Sequence, residues 1–268
     1  MGGVVSVVIV NYGTADLTIE AVRSALAESC VHEVVVADNP LPNVQEPSPA
    51  LRRLEAEERR VQLLELADNR GFGAGVNAAA RVGTAPYLFA LNSDATLQAE
   101  ALGRLVSLLE ADARVGLAAP PVYLRDGATL QPDACGLFPT PARLFTRATK
   151  SVCRDETPDW LSGVALLARR DEFLDLGGFD ESFFMYYEDV ELCHRYRQQL
   201  GKGCRRFAQG PGVVHLGGAS RESSLQSVYD AAQDYYLKKV GFSPVSRLLV
   251  RTARRFYARF SRGREEAS

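Results

Sequence analysis

The chain has 268 residues, 46% hydrophobic and 24% charged, with a formal net charge of −2. This ordinary globular composition allows a large core and excludes a uniformly basic nucleic-acid binder. The charge is uneven, because residues from Gly241 onward hold seven Arg against two acids, net +5, while the 240 before them hold 24 basic and 31 acidic residues, net −7.

In chain order, apolar β-branched runs alternate with helical patterns. Strands are expected at 4–10, 33–37, 61–66, 87–91 and 115–119, and helices at 16–28, 50–60, 74–81 and 99–112. Uninterrupted Val/Ile/Leu strands separated by helices predict an α/β protein with a parallel sheet covered on both faces. From Pro120 to about Pro158 the pattern turns irregular and Pro-rich. A strand at 164–168, a helix at 189–199 and two short strands around Arg206 and Val214 follow. Helices at 222–239 and 243–260 close the chain, the last with Pro244 in its first turn, where a missing N–H costs little. Five scattered cysteines (Cys30, Cys135, Cys153, Cys193, Cys204), never spaced Cys-x-x-Cys, predict neither a disulfide framework nor a zinc cage. Apolar runs stay short of the roughly 18 residues of a membrane span. Met1-Gly2 with Ser6 matches a myristoylation pattern formally, but the strand at 4–10 predicts a covered start. A cytoplasmic protein is expected.

Ligands of open parallel sheets sit outside the carboxyl ends of the strands. Three expected strand ends are polar there: Asn11-Tyr12-Gly13, Ala37-Asp38-Asn39 and Leu91-Asn92-Ser93-Asp94. Asp38 and Asp94 would border one crevice, although Asp and Asn also cap helices and build turns. The run from Asp68 to Asn77, Asp-Asn-Arg-Gly-Phe-Gly-Ala-Gly-Val-Asn, is a glycine-rich turn into a helix that can present N–H groups to phosphate. It matches neither the dinucleotide fingerprint nor a P-loop, and glycines also permit close helix–sheet packing.

The densest cluster runs from Gly177 to Cys193, with Glu188-Asp189 after the aromatic stretch Phe183-Phe184-Met185-Tyr186-Tyr187. Aromatic walls lower local polarity, which suits a carboxylate acting as a general base. Neighbours on a helix point about 100° apart, so only one of the two acids should face the site. His215 ends a short strand and, with Asp94, could hold one divalent cation completed by phosphate oxygens. His32 and His194 read as structural or exposed.

Taken in order, these segments, with Trp160-Leu-Ser162-Gly163 and His215-Leu-Gly-Gly-Ala-Ser, resemble an inverting family 2 glycosyltransferase of the GT-A fold, in its bacterial rhamnosyltransferase-like branch, over about residues 4–220. The resemblance implies a mixed central sheet flanked by helices with C-terminal closing helices. It implies a donor-binding half at 1–120, an acceptor-binding and catalytic half at 121–220 of the same domain, and C-terminal helices with a basic tail at 221–268. It implies a nucleotide-sugar donor, with dTDP-L-rhamnose as the best guess, and transfer to an acceptor hydroxyl in cell-surface glycan or glycoconjugate synthesis. Asp38 would bind the base, Asn11 and Tyr12 would flank the nucleoside, and Asn69, Gly71, Gly73 and Asn92 would line the donor. Asp94, aided by His215, would bind Mg²⁺ or Mn²⁺. Asp189 is the first choice of base and Glu188 the second. Trp160, Ser162, Gly163 and Tyr186 would meet the acceptor or sugar, and the loop 136–157 would gate it. An inert nucleotide-sugar-binding partner subunit, or a transferase using a UDP- or GDP-sugar on a natural product, is the alternative.

The tail adds an expectation about the acceptor. Arg247, Arg251, Arg254, Arg255, Arg259 and Arg262 recur with Leu248, Leu249, Phe256 and Phe260, a basic amphipathic pattern. It points to peripheral contact at the inner face of the plasma membrane and to a lipid-linked acceptor. A solvated face on a closing helix is the equal alternative.

Overall fold

A computed structural model of the chain describes residues 3–42, 48–140, 143, 156–217 and 225–252. Strand β1 (Val5–Asn11) is buried at all seven positions, which fits a central strand covered on both faces. It lies between β2 (Val31–Asp38) and β4 (Tyr87–Asn92), parallel to both. Strand β3 (Val61–Glu65) extends the sheet beyond β2. On the other side come β10 (Ala165–Arg169), β6 (Val115–Ala119) and β11 (Gly203–Arg206), giving the order β11-β6-β10-β4-β1-β2-β3.

The period of two along β1 sorts its side chains between two cores. Val5, Val7 and Ile9 face α1 (Ala15–Leu26), α2 (Pro49–Glu57) and α4 (Ala101–Ala111). Val8 and Val10 face α3 (Phe72–Val82), α5 (Arg170–Asp175) and α6 (Glu188–Leu200). A third core forms where α7 (Leu225–Lys239) and Val250 pack on Phe183, Tyr187 and Val190. Residues 244–252 are helical.

The sheet is mixed, as the resemblance implies, and corrects the parallel sheet read from the strand pattern alone at one strand: β10 runs antiparallel to both β4 and β6. A helical crossover returns a strand parallel to its predecessor, whereas β10 is reached through the irregular segment after β6. Two small sheets finish the fold. One orders β5 (Ala95–Leu97), β12 (Val213–His215) and β7 (Val122–Tyr123) as β5-β12-β7, and the other pairs β8 (Cys135–Gly136) with β9 (Trp160–Leu161). Helix α3 starts two residues earlier than expected, because Gly71 turns the chain at φ +95° and the Phe184 carbonyl accepts the Phe72 N–H (3.1 Å). Of the described cysteines, Cys135, Cys193 and Cys204 are buried and Cys30 is half-buried. Cys153, Met1-Gly2, most of the loop 136–157, residues 218–220 and the tail beyond 252 lie outside the described residues.

Candidate active site

The chain runs β1, β2, β3 to one side and then crosses to β4 on the other, so the crevice of a doubly wound sheet opens at the carboxyl ends of β1, β2 and β4. Register puts Asn11 beside Asp38 and Val10 beside Asn92. Asn11 is buried, and both the nitrogen and the oxygen of its amide are bonded. The Nδ2 donates to Asp38 Oδ1 (2.6 Å), while Oδ1 accepts from the Thr18 hydroxyl (2.8 Å) and from the Thr14 backbone N–H and hydroxyl (both 3.2 Å). Asn11 is therefore a bracket that orients Asp38. Burial raises the Asp38 pKa, opposed by the Asn11 bond. Tyr12, next along the chain, is exposed at the crevice mouth.

Asp94 follows β4. The antiparallel ladder pairs His215 with Ala95, which sets the imidazole beside the carboxylate, and His215 Nε2 lies 3.0 Å from Asp94 Oδ1. Gln131 Oε1 meets His215 Nδ1 at 2.7 Å, and Asn92 Nδ2 approaches Nε2 at 3.4 Å. An acceptor at Nδ1 and a donor at Nε2 favour the tautomer with its proton on Nδ1. The Nε2 lone pair and the carboxylate then converge on one point, which a proton or a cation must bridge. Burial would raise the Asp94 pKa, but the hydrogen bond and charge of His215 bring it below the usual value. Among the described residues no group of three or more His, Cys, Asp or Glu side chains is placed to hold a metal. The imidazole and carboxylate of His215 and Asp94 suit a divalent cation, to which they would supply two ligands.

The glycine-rich run packs against protein. A side chain on Gly71 would meet the Phe184 carbonyl at 1.9 Å, one on Gly73 the Phe179 Cβ at 2.9 Å, and one on Gly75 the Val10 side chain at 2.9 Å. Asn69 Oδ1 accepts the Gly71 N–H (3.0 Å) and shapes the turn. Buried Asn77 donates to the Phe179 carbonyl and accepts its N–H, each at 2.8 Å. These contacts fix the 177–188 segment on α3.

That segment delivers the two acids. Tyr186 and Tyr187 adopt left-handed φ of 71° and 68°, a strained conformation for aromatic residues that persists only where packing enforces it. The ring of Tyr186 lies 5.5 Å from that of Tyr229, and Gln233 Nε2 donates to the Tyr187 hydroxyl. Glu188 is buried against α3, and its Oε2 has no partner. Burial and the Asp189 charge raise its pKa to about 8. Asp189 is half-buried. Its Oδ2 accepts the Gly163 N–H (3.0 Å) and its Oδ1 the Val190 N–H (2.8 Å), bonds that favour the charged form against the burial that raises its pKa.

One link joins the parts. The Asn92 N–H donates to the Val164 carbonyl (2.9 Å), so Gly163, which holds Asp189, adjoins the strand end that leads to Asp94. Trp160 is half-buried, its indole N–H donates to the Leu137 carbonyl (3.1 Å), and its ring lies over Gly136. The Ser162 hydroxyl accepts the Val164 N–H (3.3 Å). Sequence reading singled out neither Gln131, which sits in the irregular segment, nor the clamp formed by Tyr229 and Gln233. It also passed over the cavity of about 110 Å³ whose wall includes Arg70, Arg81 and Glu181. Arg70 and Arg81 reach Glu181 at 2.8 and 3.7 Å, and the cavity shares no wall residue with the Asp94–His215 pair.

This architecture is that of the GT-A glycosyltransferases. The mannosyltransferase PcManGT of Pyrobaculum calidifontis, solved with GDP-Man and Mn²⁺, superposes with a TM-score of 0.65 at 18% identity over 94% of this chain and 69% of that one. TarS 1–349 of S. aureus gives 0.60 at 14% identity over the same shares. Both likenesses are of fold. Within that class, the chain belongs to glycosyl transferase family 2, whose profile matches residues 6–172. Short stretches are similar to named proteins. An N-acetylglucosaminyl-diphospho-decaprenol L-rhamnosyltransferase of Mycobacterium tuberculosis is 58% identical over 43 residues, 16% of this chain and 13% of that protein. The rhamnosyltransferase WbbL of Escherichia coli is 41% identical over 46 residues, 17% of each. The matches thus span under a fifth of these curated relatives.

Proposed function

We propose that the protein transfers a hexose, L-rhamnose from dTDP-L-rhamnose as first candidate, to an acceptor hydroxyl with inversion. The observation that supports this reading is the Asn92–Val164 bond, which ties the segment whose Gly163 N–H holds the Asp189 carboxylate to the end of the strand that leads to Asp94 and its partner His215. The short rhamnosyltransferase matches support the choice of sugar and a lipid-linked glycan as acceptor.

Asp38, oriented by Asn11, accepts hydrogen bonds from the base, and exposed Tyr12 offers a face to it. Asp94 and His215 would hold a divalent cation, Mg²⁺ or Mn²⁺, which would supply positive charge to offset that growing on the departing diphosphate. Asp189 is the base. Two backbone N–H groups fix its oxygens and favour the charged form, so it can take the acceptor proton as that oxygen attacks the anomeric carbon. The bond to the diphosphate breaks with its electron pair, so no second acid is required. Glu188, buried and neutral below about pH 8, leaves Asp189 as the single charged acid of the pair.

Calorimetric binding and donor hydrolysis with dTDP-rhamnose, UDP-glucose, UDP-galactose, UDP-N-acetylglucosamine and GDP-mannose, each with Mn²⁺, Mg²⁺ or EDTA, test the proposal. Metal-dependent binding of one donor is expected to vanish in D94N, and hydrolysis to vanish in D189N with binding kept. Absence of binding under every condition would refute the transferase reading at its donor site.

A further inference from the structure

Val245, Leu248 and Leu249 are the most exposed large apolar side chains among the described residues, at 67%, 59% and 50%. At 100° per residue they share an arc of roughly 100° on the helix of residues 244–252. Val250 points roughly 150° away from the middle of that arc and is 2% exposed, in the core shared with Tyr236 and Leu237 of α7. Arg247 and Arg251 reach Asp234 of α7 at 3.0 and 3.6 Å. One face is thus anchored, with half-exposed Arg251 at its edge, and the other presents an apolar ridge.

Charge selects what covers that ridge. The 28 residues from Gly241 carry net +5, and the sixteen from Ala253 hold five arginines and two glutamates. An isologous contact with a second copy would set this positive segment against itself, whereas an anionic lipid surface attracts it. An apolar ridge on an arginine-rich segment also suits a helix lying in a bilayer interface, and no described helix is long and apolar enough to cross one. We infer that the face formed by Val245, Leu248 and Leu249 docks the protein on an anionic phospholipid bilayer. The inference deepens the proposed lipid-linked acceptor and can fail separately from it. Because α7 supports both this helix and Tyr187, docking would set the Asp189 segment one helix away from the membrane.

The test is flotation of the full chain with extruded vesicles of phosphatidylcholine alone or with about 30% phosphatidylglycerol. The protein is expected to float with the anionic vesicles only, and less in about 0.5 M NaCl. V245S/L248S/L249S, which keeps every charge, is expected to lose at least about tenfold in partitioning with donor binding unchanged. R254E/R255E/R259E, which keeps the ridge, is expected to lose selectivity for anionic vesicles. Three results would overturn the inference: wild type that stays unbound to anionic vesicles, a serine variant that floats like wild type, or a wild-type dimer that the serine variant turns into a monomer. Flotation of wild type and its loss in the serine variant, in a protein that binds no nucleotide sugar, would uphold docking while removing the transferase reading.

Discussion

Replacing Glu188 by Gln isolates a buried carboxyl that has one oxygen without a partner. In the folded chain its pKa is raised from 4.5 to about 8 by burial and by Asp189, and unfolding returns it to the ordinary value. Between those two values the folded chain holds a proton that the unfolded chain has released. Stability linked to this group is therefore fully present below about pH 4.5 and is lost as pH rises through about 8, by up to about 1.4 kcal/mol per pH unit. Across the whole window the loss is bounded at about 5 kcal/mol, and sharing of charge with Asp189 reduces it. Gln fills the same volume without a proton to lose. Urea unfolding of both proteins at about pH 5, 6, 7 and 8 is the assay. E188Q should gain at least about 2 kcal/mol on wild type between the ends of that range. The lowered pKa of His194, caused mainly by burial, has the opposite linkage but is common to both proteins and cancels. Parallel curves would refute the reasoning, since they would require the folded chain to keep Glu188 ionised throughout.

Other perturbations follow from the same contacts. N11A strips the bonds at Asp38 Oδ1, Thr14 and Thr18. At about 1–3 kcal/mol per stranded buried group, a stability loss of at least about 2 kcal/mol is expected, read as a lower urea midpoint at unchanged slope; a loss under about 0.5 kcal/mol would mean that water replaces the amide. G71A places a methyl 1.9 Å from the Phe184 carbonyl at φ +95°, so the aromatic segment must shift. Its thermal midpoint should fall by several degrees, and transfer should drop further than donor binding, as separate kcat and KM measurements would show.

Much of the fold was legible because its cause is local. The runs at 7–10 and 34–37 are apolar without interruption, and the polar residues that follow them announced a crevice. The antiparallel turn of β10 was not legible, since direction depends on how the irregular segment after Pro120 returns and not on the strand's composition. In the site, Asp38, Asp94 and Asp189 stand out by type and position. Their orienting partners do not. The Gly163 N–H carries no sequence signal, Gln131 lies in irregular chain, and Gln233 reads as one more polar residue on an amphipathic helix. Asn11, Gly71 and Gly73 attract attention as ligand-binding residues, while their contacts bind the protein to itself.

The place of β10 bears on how the chain can be made. It lies between β4 and β6, although 45 residues separate the end of β6 from its start. As the polypeptide leaves the ribosome, β1 to β4 can assemble from sequence already present, but β6 has no edge to join until β10 arrives. The growing sheet therefore holds an apolar gap at its middle, and the strand that fills it leads out of Gly163. The Gly163 N–H that Asp189 accepts is set by that same strand, so in a nascent chain the proposed base gains this partner only as the sheet beneath it is sealed.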